Sequence, residues 1–427
     1  MIRQTVGNTA RESIVSRIIF HIDVNSAFLA WSAVEELHRA KEEGRETVDL
    51  RTVPAIVGGD VTKRRGIVTA ASIPAKKLGI RTAQPVTDAF RLCPDLIVVR
   101  GDFGLYRARS RELMDLLRKY SPLLQQMSVD ECFLDVTDTV TERAASGRDS
   151  RTRESAVTLA REIGDRVREE LEFTVNIGIS SNKVLAKMAS DFEKPDKVHT
   201  LFPNEIKEKM WPLDVGDLFM AGKASASKLK SLGIMTIGDL ARSDPQMLES
   251  HLKSHGRTLW DYANGRASDT VRTERERAKS ESVERTLPRD CIDLEDAFGH
   301  IGSISRNLAG RLYNHGFRAG EVAVLIKYAD FTSASRQRKL VTVTGEAGDI
   351  EREACALYEE LWDGRPVRLI GVRAGKLAAA GDPVQMSLED FAKERVASDR
   401  RKKADDAVRK LNERFGDGVV RRGAGAE

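Results

Sequence analysis

The stretch LLQQMSVDECFLDVTDT, residues 123–139, decides how this chain is to be read. "LLQQMSV" and "CFLDVTD" read as two short strands that meet at Asp130 and Glu131. Adjacent carboxylates repel, and apolar neighbours disfavour their charged forms. As a plain turn the pair needs no special reason, because Asp is a common turn residue. If further acids converge on it, it needs a cation.

Working outward, a third acid is at hand. "RIIFHIDVN" (17–25) is an apolar run ending in Asp23 and reads as a buried strand. "AFLAWSAVEELHRAKEEG" follows with helical spacing and stops at Gly44. On the other side, "ESAVTLAREIGDRVREEL" is an amphipathic helix, "FTVNIGISS" a strand and "SNKVLAKMASDF" a helix. Upstream, "GLYRARSRELMDLLRKYSP" is a helix closed by Pro122. Together, 17–25 and 96–190 give a βαββαβ core, ferredoxin-like in type. Residues 26–95 become an insertion, with strands at "VPAIVGG" and "IVTAAS" and short helices at "IPAKKLGI" and "TDAFRLCP". In that topology Asp23 lies beside the Asp130–Glu131 hairpin. Three converging carboxylates cannot all ionise without a cation, and hard oxygen ligands suit Mg²⁺. Two such ions would clamp the attacking and leaving oxygens of a phosphoryl transfer. "VGGD" (57–60) could pass for a cyclase-type turn but more simply ends a strand.

The remaining chain adds domains. With 427 residues, two to four domains of roughly 100–150 residues are expected. Residues 201–266 read as purely helical. Residues 267–281 are polar and basic, as in a linker. Residues 282–380 alternate helix and strand again, and 381–427 form a charged tail, as 1–16 form an N-terminal extension. The whole is a multidomain α/β (α+β) protein. Lys and Arg number 69 against 65 acids, a net +4 that permits a polyanion partner without demanding one. Cys93, Cys132, Cys291 and Cys355 are spaced for neither a zinc site nor a disulfide framework, so a reducing cytoplasmic setting is expected. No apolar run is long enough to span a membrane.

"HIDVNSAF", "VPAIVGGD", "RRGIVTAASIPAKKLGI" and "SVDECFLDVT", in that order, resemble the Y-family translesion DNA polymerases. The match runs from about residue 17 to 380. The resemblance implies a right-hand polymerase with a βαββαβ palm (1–25 and 96–200), small fingers (26–95), a helix-hairpin-helix thumb (201–266) and an α/β little finger (282–380). Asp23, Asp130 and Glu131, with the Val24 carbonyl, would hold two Mg²⁺ ions. Phe28 would be the aromatic gate against a ribose 2′-hydroxyl, and the Ser26 and Ala27 amides would bind triphosphate oxygens. Lys76 and Lys194 would contact the triphosphate. The fingers segment departs from the family at Ile73, which stands for a Tyr, and at Lys76, which stands for an Arg and lacks its bidentate fork. Asn25 stands where many relatives carry a second Asp.

For DNA, Gly222 and Lys223 in "LFMAGKASASKLKSLGIMTIGDLA" match the thumb hairpin, with Met220 in place of its first Gly. Arg336, Arg338 and Lys339 would lie along the backbone, with alternation putting Arg336 and Arg338 on one face. Gln385, Met386, Leu388 and Phe391 fit a sliding-clamp peptide, although Glu389 occupies its usual aromatic place. The implied partners are primer-template DNA, a dNTP and the clamp, with the protein a monomer and no membrane involved. Two other readings stay open: a DNA-binding accessory impaired in catalysis, and a nucleotidyl cyclase, which a thumb-like hairpin and basic C-terminal domain disfavour.

Overall fold

The computed structural model describes residues 17–60, 66–145, 152–274, 276–379 and 382. The chain forms two compact units, divided between residues 275 and 276.

The first unit opens with β1 (Ile19–Val24), α1 (Ala27–Glu42), β2 (Ala55–Gly58), β3 (Val68–Ala71), α2 (Ile73–Lys77), α3 (Val86–Leu92) and β4 (Ile97–Arg100). It continues with α4 (Phe103–Arg118), β5 (Leu124–Gln126), β6 (Glu131–Asp135), α5 (Thr137–Ala145), α6 (Thr152–Leu171), β7 (Val175–Ser180), α7 (Lys183–Ser190) and β8 (Val198–Thr200). The five-stranded sheet has the order β5-β6-β1-β7-β8. Its first four strands have the order expected of a ferredoxin-like βαββαβ core. β1 is its centre, antiparallel to both β6 and β7, which places Asp23 opposite Glu131 on one side and Asn176 on the other.

Alternation along β1 sorts the side chains. Phe20, Ile22 and Val24 join Cys132, Leu134, Ile177 and Ile179 in a core closed by Leu113 and Leu117 of α4 and Leu159, Ile163 and Val167 of α6. Each fully buried Leu or Ile there contributes about 1.5–3 kcal/mol. Ile19, His21 and Asp23 point the other way, towards α7. That helix lies so close to β7 that a Cβ on Gly178 would sit 2.0 Å from the Ala186 carbonyl oxygen.

A second sheet has the order β3-β2-β4. β4, which the sequence places with the larger sheet in segment 96–200, runs parallel to β2 instead, with Ala55 opposite Ile97 and Gly58 opposite Arg100. A short apolar run such as Ile97–Val99 fits either sheet. The β2-to-β4 crossover selects the smaller one. Ser72 caps α2 by accepting the Ala75 N–H at 3.1 Å.

Beyond β8 come short 3₁₀ and π turns, then α8 (Lys223–Ser231), α9 (Ile237–Arg242), α10 (Pro245–Leu252) and α11 (Ser254–Ala263). Leu229, Leu240, Leu248 and Leu259 share a core with Val184, Leu185 and Met188 of α7. The segment read as a linker is strapped down at its start. Val271 is buried among Ile19, Phe133 and Ala186. Arg272 donates its N–H to Gln125 Oε1 at 3.1 Å, and Arg17 reaches Asp269 at 3.3 Å. One apolar residue among many polar ones carries no periodic signal, so composition hides this contact.

The second unit runs β9 (Ser280–Cys291), α12 (Leu294–Asn314), β10 (Phe317–Tyr328), β11 (Ser333–Thr344), α13 (Ala347–Leu361), β12 (Val367–Gly375) and β13 (Ala378–Ala379). Its main sheet is β11-β10-β12-β9. Val322, Val324, Ile326, Ile370 and Val372 pack with Ile301, Ile304, Leu308 and Leu357 of α12 and α13. β9 and α13 are absent from the sequence reading. β9 is an edge strand interrupted by Pro288, and residues 287–290 bulge opposite Arg368 alone. A proline is tolerated only at such edges and bulges, and it reads in sequence as a breaker. The clamp-like residues Gln385, Met386, Leu388 and Phe391 lie outside the described residues. Among the described residues no helix is long and apolar enough to cross a membrane.

Candidate active site

The carboxyl end of β1, the start of α1, β3, α2 and the loop after α7 enclose a cleft of about 560 Å³. Asp23, Val24, Ser26, Ala27, Phe28, Lys76, Asp130 and Lys194 all line it. Four separate segments thus bring one set of expected residues together. Glu131 does not line it.

The charges explain the difference. Burial, then the charges of Asp23 and Glu131, push the Asp130 carboxyl above its ordinary value, against a hydrogen bond from Ser128. Glu131 begins β6 on the face towards α7. Its Oε2 faces His21 Nε2 at 3.4 Å and Lys187 Nζ at 3.2 Å. Contact with His21, opposed by burial and aided by the Lys187 charge, holds its carboxyl down at about 2. Burial lowers the His21 pKa, against its contact with Glu131. The His21 Nδ1 lies 2.8 Å from Ser190 Oγ, whose hydroxyl donates to the Lys187 carbonyl at 2.8 Å, and its Nε2 faces Glu131. Lys194 donates to Asp23, and it pairs with Asp191 at 2.9 Å. Burial alone would lower the Lys194 ammonium; the Asp23 charge and these hydrogen bonds outweigh it and raise its pKa. Lys76 donates to Ser26 Oγ at 2.7 Å. Burial, then the charge of Lys194, lowers its pKa.

The three expected metal ligands therefore do not close into one cage. Among the described residues no group of three His, Cys, Asp or Glu side chains is placed to hold a metal. Two lysines neutralise Asp23 and Glu131 instead. The donor chemistry still fits a hard divalent cation, because Asp130 is crowded by like charge and, among the described residues, paired with no cation.

Ser26 starts α1 in the left-handed region, at φ 51° and ψ 47°. That costs an L-residue about 1–2 kcal/mol. The Leu29 amide already bonds the Ser26 carbonyl at 2.9 Å, but the Ser26 and Ala27 amides come before any intrahelical acceptor and lie at the cleft, which suits an anion. The Phe28 ring stacks on Tyr106 at 4.5 Å and 11°, with Phe103 edge-on at 5.9 Å. The Tyr106 hydroxyl is 2.9 Å from Ser32 Oγ. Ile73, which replaces the family Tyr, also lines the cleft. Asn25 accepts from Thr174 Oγ1 and the Asp196 N–H, both at 2.9 Å, and donates to Asn176 Oδ1 at 3.1 Å. It ties the end of β1 to the loop that carries Lys194.

Sequence reasoning missed His21, Lys187, Asp191, Asn176 and Tyr106. Each sits on an ordinary strand, helix or turn, and only its three-dimensional neighbours distinguish it.

In the helical segment, Met220 takes φ 72°, so the left-handed turn survives loss of the glycine. Gly222 is the N-cap of α8, and Lys223 its exposed first residue. On β11, Arg336 and Arg338 do share a face, but it is the face towards α13. Arg336 pairs with Glu360 at 3.1 Å and Arg338 with Glu353 at 2.6 Å. Lys339, by alternation, points to the opposite, open face. The expected row of three cations is thus split.

Comparison with known proteins agrees with this geometry. Residues 22–191 match the impB/mucB/samB family, and residues 278–388 match the C-terminal domain of the same family. The chain is 41% identical over 408 residues to DNA polymerase IV of Clostridium acetobutylicum, covering 96% of this chain and 98% of that one. It is 35% identical to DNA polymerase IV 1 of Bacillus subtilis, covering 96% and 93%. Among solved structures, the Y-family DNA polymerase chimera Dbh-Dpo4(243-245)-Dbh superimposes with a TM-score of 0.70 at 25% identity, covering 85% of this chain and 99% of that one.

Proposed function

This chain belongs to the impB/mucB/samB family, and from that premise we propose that it is a template-directed DNA polymerase of the low-fidelity, translesion type. The primer 3′-oxygen attacks the α-phosphorus of a dNTP and loses its proton, and the bond to the β-phosphate breaks to release pyrophosphate. The observation that carries this reading is one cleft that joins Asp23 and Asp130, two lysines, a helix start and the Phe28 ring.

Asp23, Asp130 and the Val24 carbonyl would hold Mg²⁺, and Glu131, released by Lys187, would complete the set for two ions. When bound, the metal stabilises the nucleophilic oxygen and the charge on the phosphates. Lys76, Lys194 and the Ser26 and Ala27 amides receive the triphosphate. Phe28, braced by Tyr106, stands against the sugar and excludes a 2′-hydroxyl. Gly222 and Lys223 present a helix start and a charge to a DNA phosphate. Lys339 on the open sheet face, with Arg336 and Arg338 once freed from their acids, adds sequence-independent contacts. Gln385, Met386, Leu388 and Phe391 are the segment for the sliding clamp, and the polymerase works as a monomer.

Primer extension with Mg²⁺ and four dNTPs tests this. Wild type extends, while Asp130→Asn loses extension by about 10³-fold or more and keeps primer–template binding. Equal extension by both would remove Asp130 from the metal site. Binding without extension by wild type would leave a DNA-binding accessory.

A further inference from the structure

Acids and lysines alternate without a break from Glu131, outside the cleft, to Asp23 and Lys194 within it. Glu131 Oε2 lies 3.2 Å from Lys187 Nζ, which lies 3.4 Å from Asp191 Oδ2. Asp191 Oδ1 lies 2.9 Å from Lys194 Nζ, which donates in turn to Asp23. Asp191 is the midpoint, with one lysine on each oxygen. It caps the C-terminus of α7, so the helix itself supplies its spacing to Lys187, and the turn that follows supplies its spacing to Lys194.

The turn does not depend on the Asp191 side chain for its shape. Asn176 Nδ2 donates to the carbonyls of Ser190 at 3.0 Å and Glu193 at 2.6 Å. Asn25 accepts the Asp196 N–H. The Asp191 carboxylate is thus left with an electrostatic task, which is to share the two lysines with Glu131 and Asp23. The charges make that sharing consequential. Asp23, Asp130, Glu131 and Asp191 carry four negative charges and Lys76, Lys187 and Lys194 three positive ones, a net negative charge that favours a cation. Without Asp191, Lys187 and Lys194 would rest wholly on Glu131 and Asp23, and that net negative charge would be lost.

We propose that Asp191 is a positioning residue of the metal site: it draws Lys187 and Lys194 part-way off Glu131 and Asp23, so that these carboxylates can be given up to a divalent cation. Lys194 stays tethered to Asp191 as it moves from Asp23 to the incoming triphosphate. Each pair sets one lysine charge against a carboxylate that a divalent ion attracts with twice the charge, which lets a metal displace it. This inference rests on the polymerase reading of the cleft.

The test is Mn²⁺ binding to the full chain without DNA or nucleotide, followed by the electron paramagnetic resonance of free Mn²⁺. Asp191→Asn is expected to weaken binding about tenfold, the usual scale for a residue behind a metal ligand, with no change in melting temperature. Asp191→Glu restores most of the affinity. Glu193→Gln removes the same charge from the same turn, where its partner is Lys197, and leaves binding unchanged. Wild-type affinity in Asp191→Asn would overturn the proposal. So would an equal loss in Glu193→Gln, because the effect would then be one of overall charge. Asp130→Asn separates the two levels of the argument: if it binds Mn²⁺ as tightly as wild type, the metal site itself is misassigned and the tether falls with it.

Discussion

Gly178→Ala is the substitution through which fold and chemistry can be tested together. Gly178 lies in the middle of β7, opposite His21, on the face that meets α7. An added Cβ would come within 2.0 Å of the Ala186 carbonyl oxygen and 2.4 Å of the Ser190 nitrogen. Ordinary contact starts near 3.4 Å, so α7 must retreat by 3.4 − 2.0, or about 1.4 Å. Both atoms are backbone, and no rotamer change relieves the clash. Overpacking typically costs 1–3 kcal/mol, and a rigid backbone contact belongs at the upper end, about 3 kcal/mol. At 2–4 °C per kcal/mol, the unit containing β7 should melt roughly 6–12 °C lower. The retreat also carries Lys187 away from Glu131 and Ser190 away from His21. Misplacement of about 1 Å around a reaction centre costs on the order of 100-fold in rate. Calorimetry on the full chain and single-nucleotide extension below the new melting point measure both effects. A melting temperature within 2 °C of wild type, together with extension within about twofold, would refute the claim that this contact sets α7.

Phe28→Ala should raise ribonucleotide incorporation relative to dNTP by about 10–100-fold, and Tyr106→Ala should do so more weakly, since Tyr106 only braces the ring; sugar discrimination unchanged in Tyr106→Ala would show that the stack does not position Phe28. Replacing Glu353 and Glu360 with Gln releases Arg336 and Arg338, so DNA binding should tighten, and the slope of log affinity against log salt should steepen by up to about 2. Affinity measured from 50 to 300 mM salt checks this, and an unchanged slope would mean those arginines never reach DNA. Glu131 supplies the pH test in metal-free protein. Its folded pKa is depressed, so its contribution is complete above the ordinary carboxylate value and is lost as pH falls towards about 2. After allowance for partial exposure, that contribution is about 2 kcal/mol. Glu131→Gln should therefore be less stable than wild type by that amount at pH 7 in urea with chelator, and the gap should narrow below about pH 4 and close towards pH 2. A gap that stays constant down to pH 3 would show that Lys187 and His21 do not stabilise the charged form.

Local patterns on the chain were enough for much of this. The run within residues 17–25, apolar from Ile18 but for His21 until it ends in Asp23, reads as a buried strand. The helices with period 3.6, the loss of apolar period after Asn264 and the acids at strand ends are likewise properties of neighbouring residues. They were legible without coordinates, and so was the order of motifs that pointed to a polymerase. Of the residues that share the cleft, Asp23 and Asp130 come from this local reading, whereas Val24, Ser26, Ala27, Phe28, Lys76 and Lys194 come from the resemblance to the Y-family polymerases.

Pairing and partnership were not legible, because they depend on which distant segments meet. Ile97–Arg100 is an equally good strand for either sheet, and only its parallel register with Ala55–Gly58 assigns it. Val271 reads as one apolar residue in a polar linker until Ile19, Phe133 and Ala186 close over it. Arg336 and Arg338 alternate as any strand residues do, yet it took α13 to supply Glu353 and Glu360 and turn free cations into paired ones. Asp130 and Glu131 are identical in sequence terms, two acids at a strand start. The pleat sends one into the cleft and the other towards α7, where Lys187 and His21 take its charge. Residue types and their local periods thus determined which elements form and which acids exist, whereas long-range packing decided which cation each acid holds, because electrostatic partnership is set by distance in space and not along the chain.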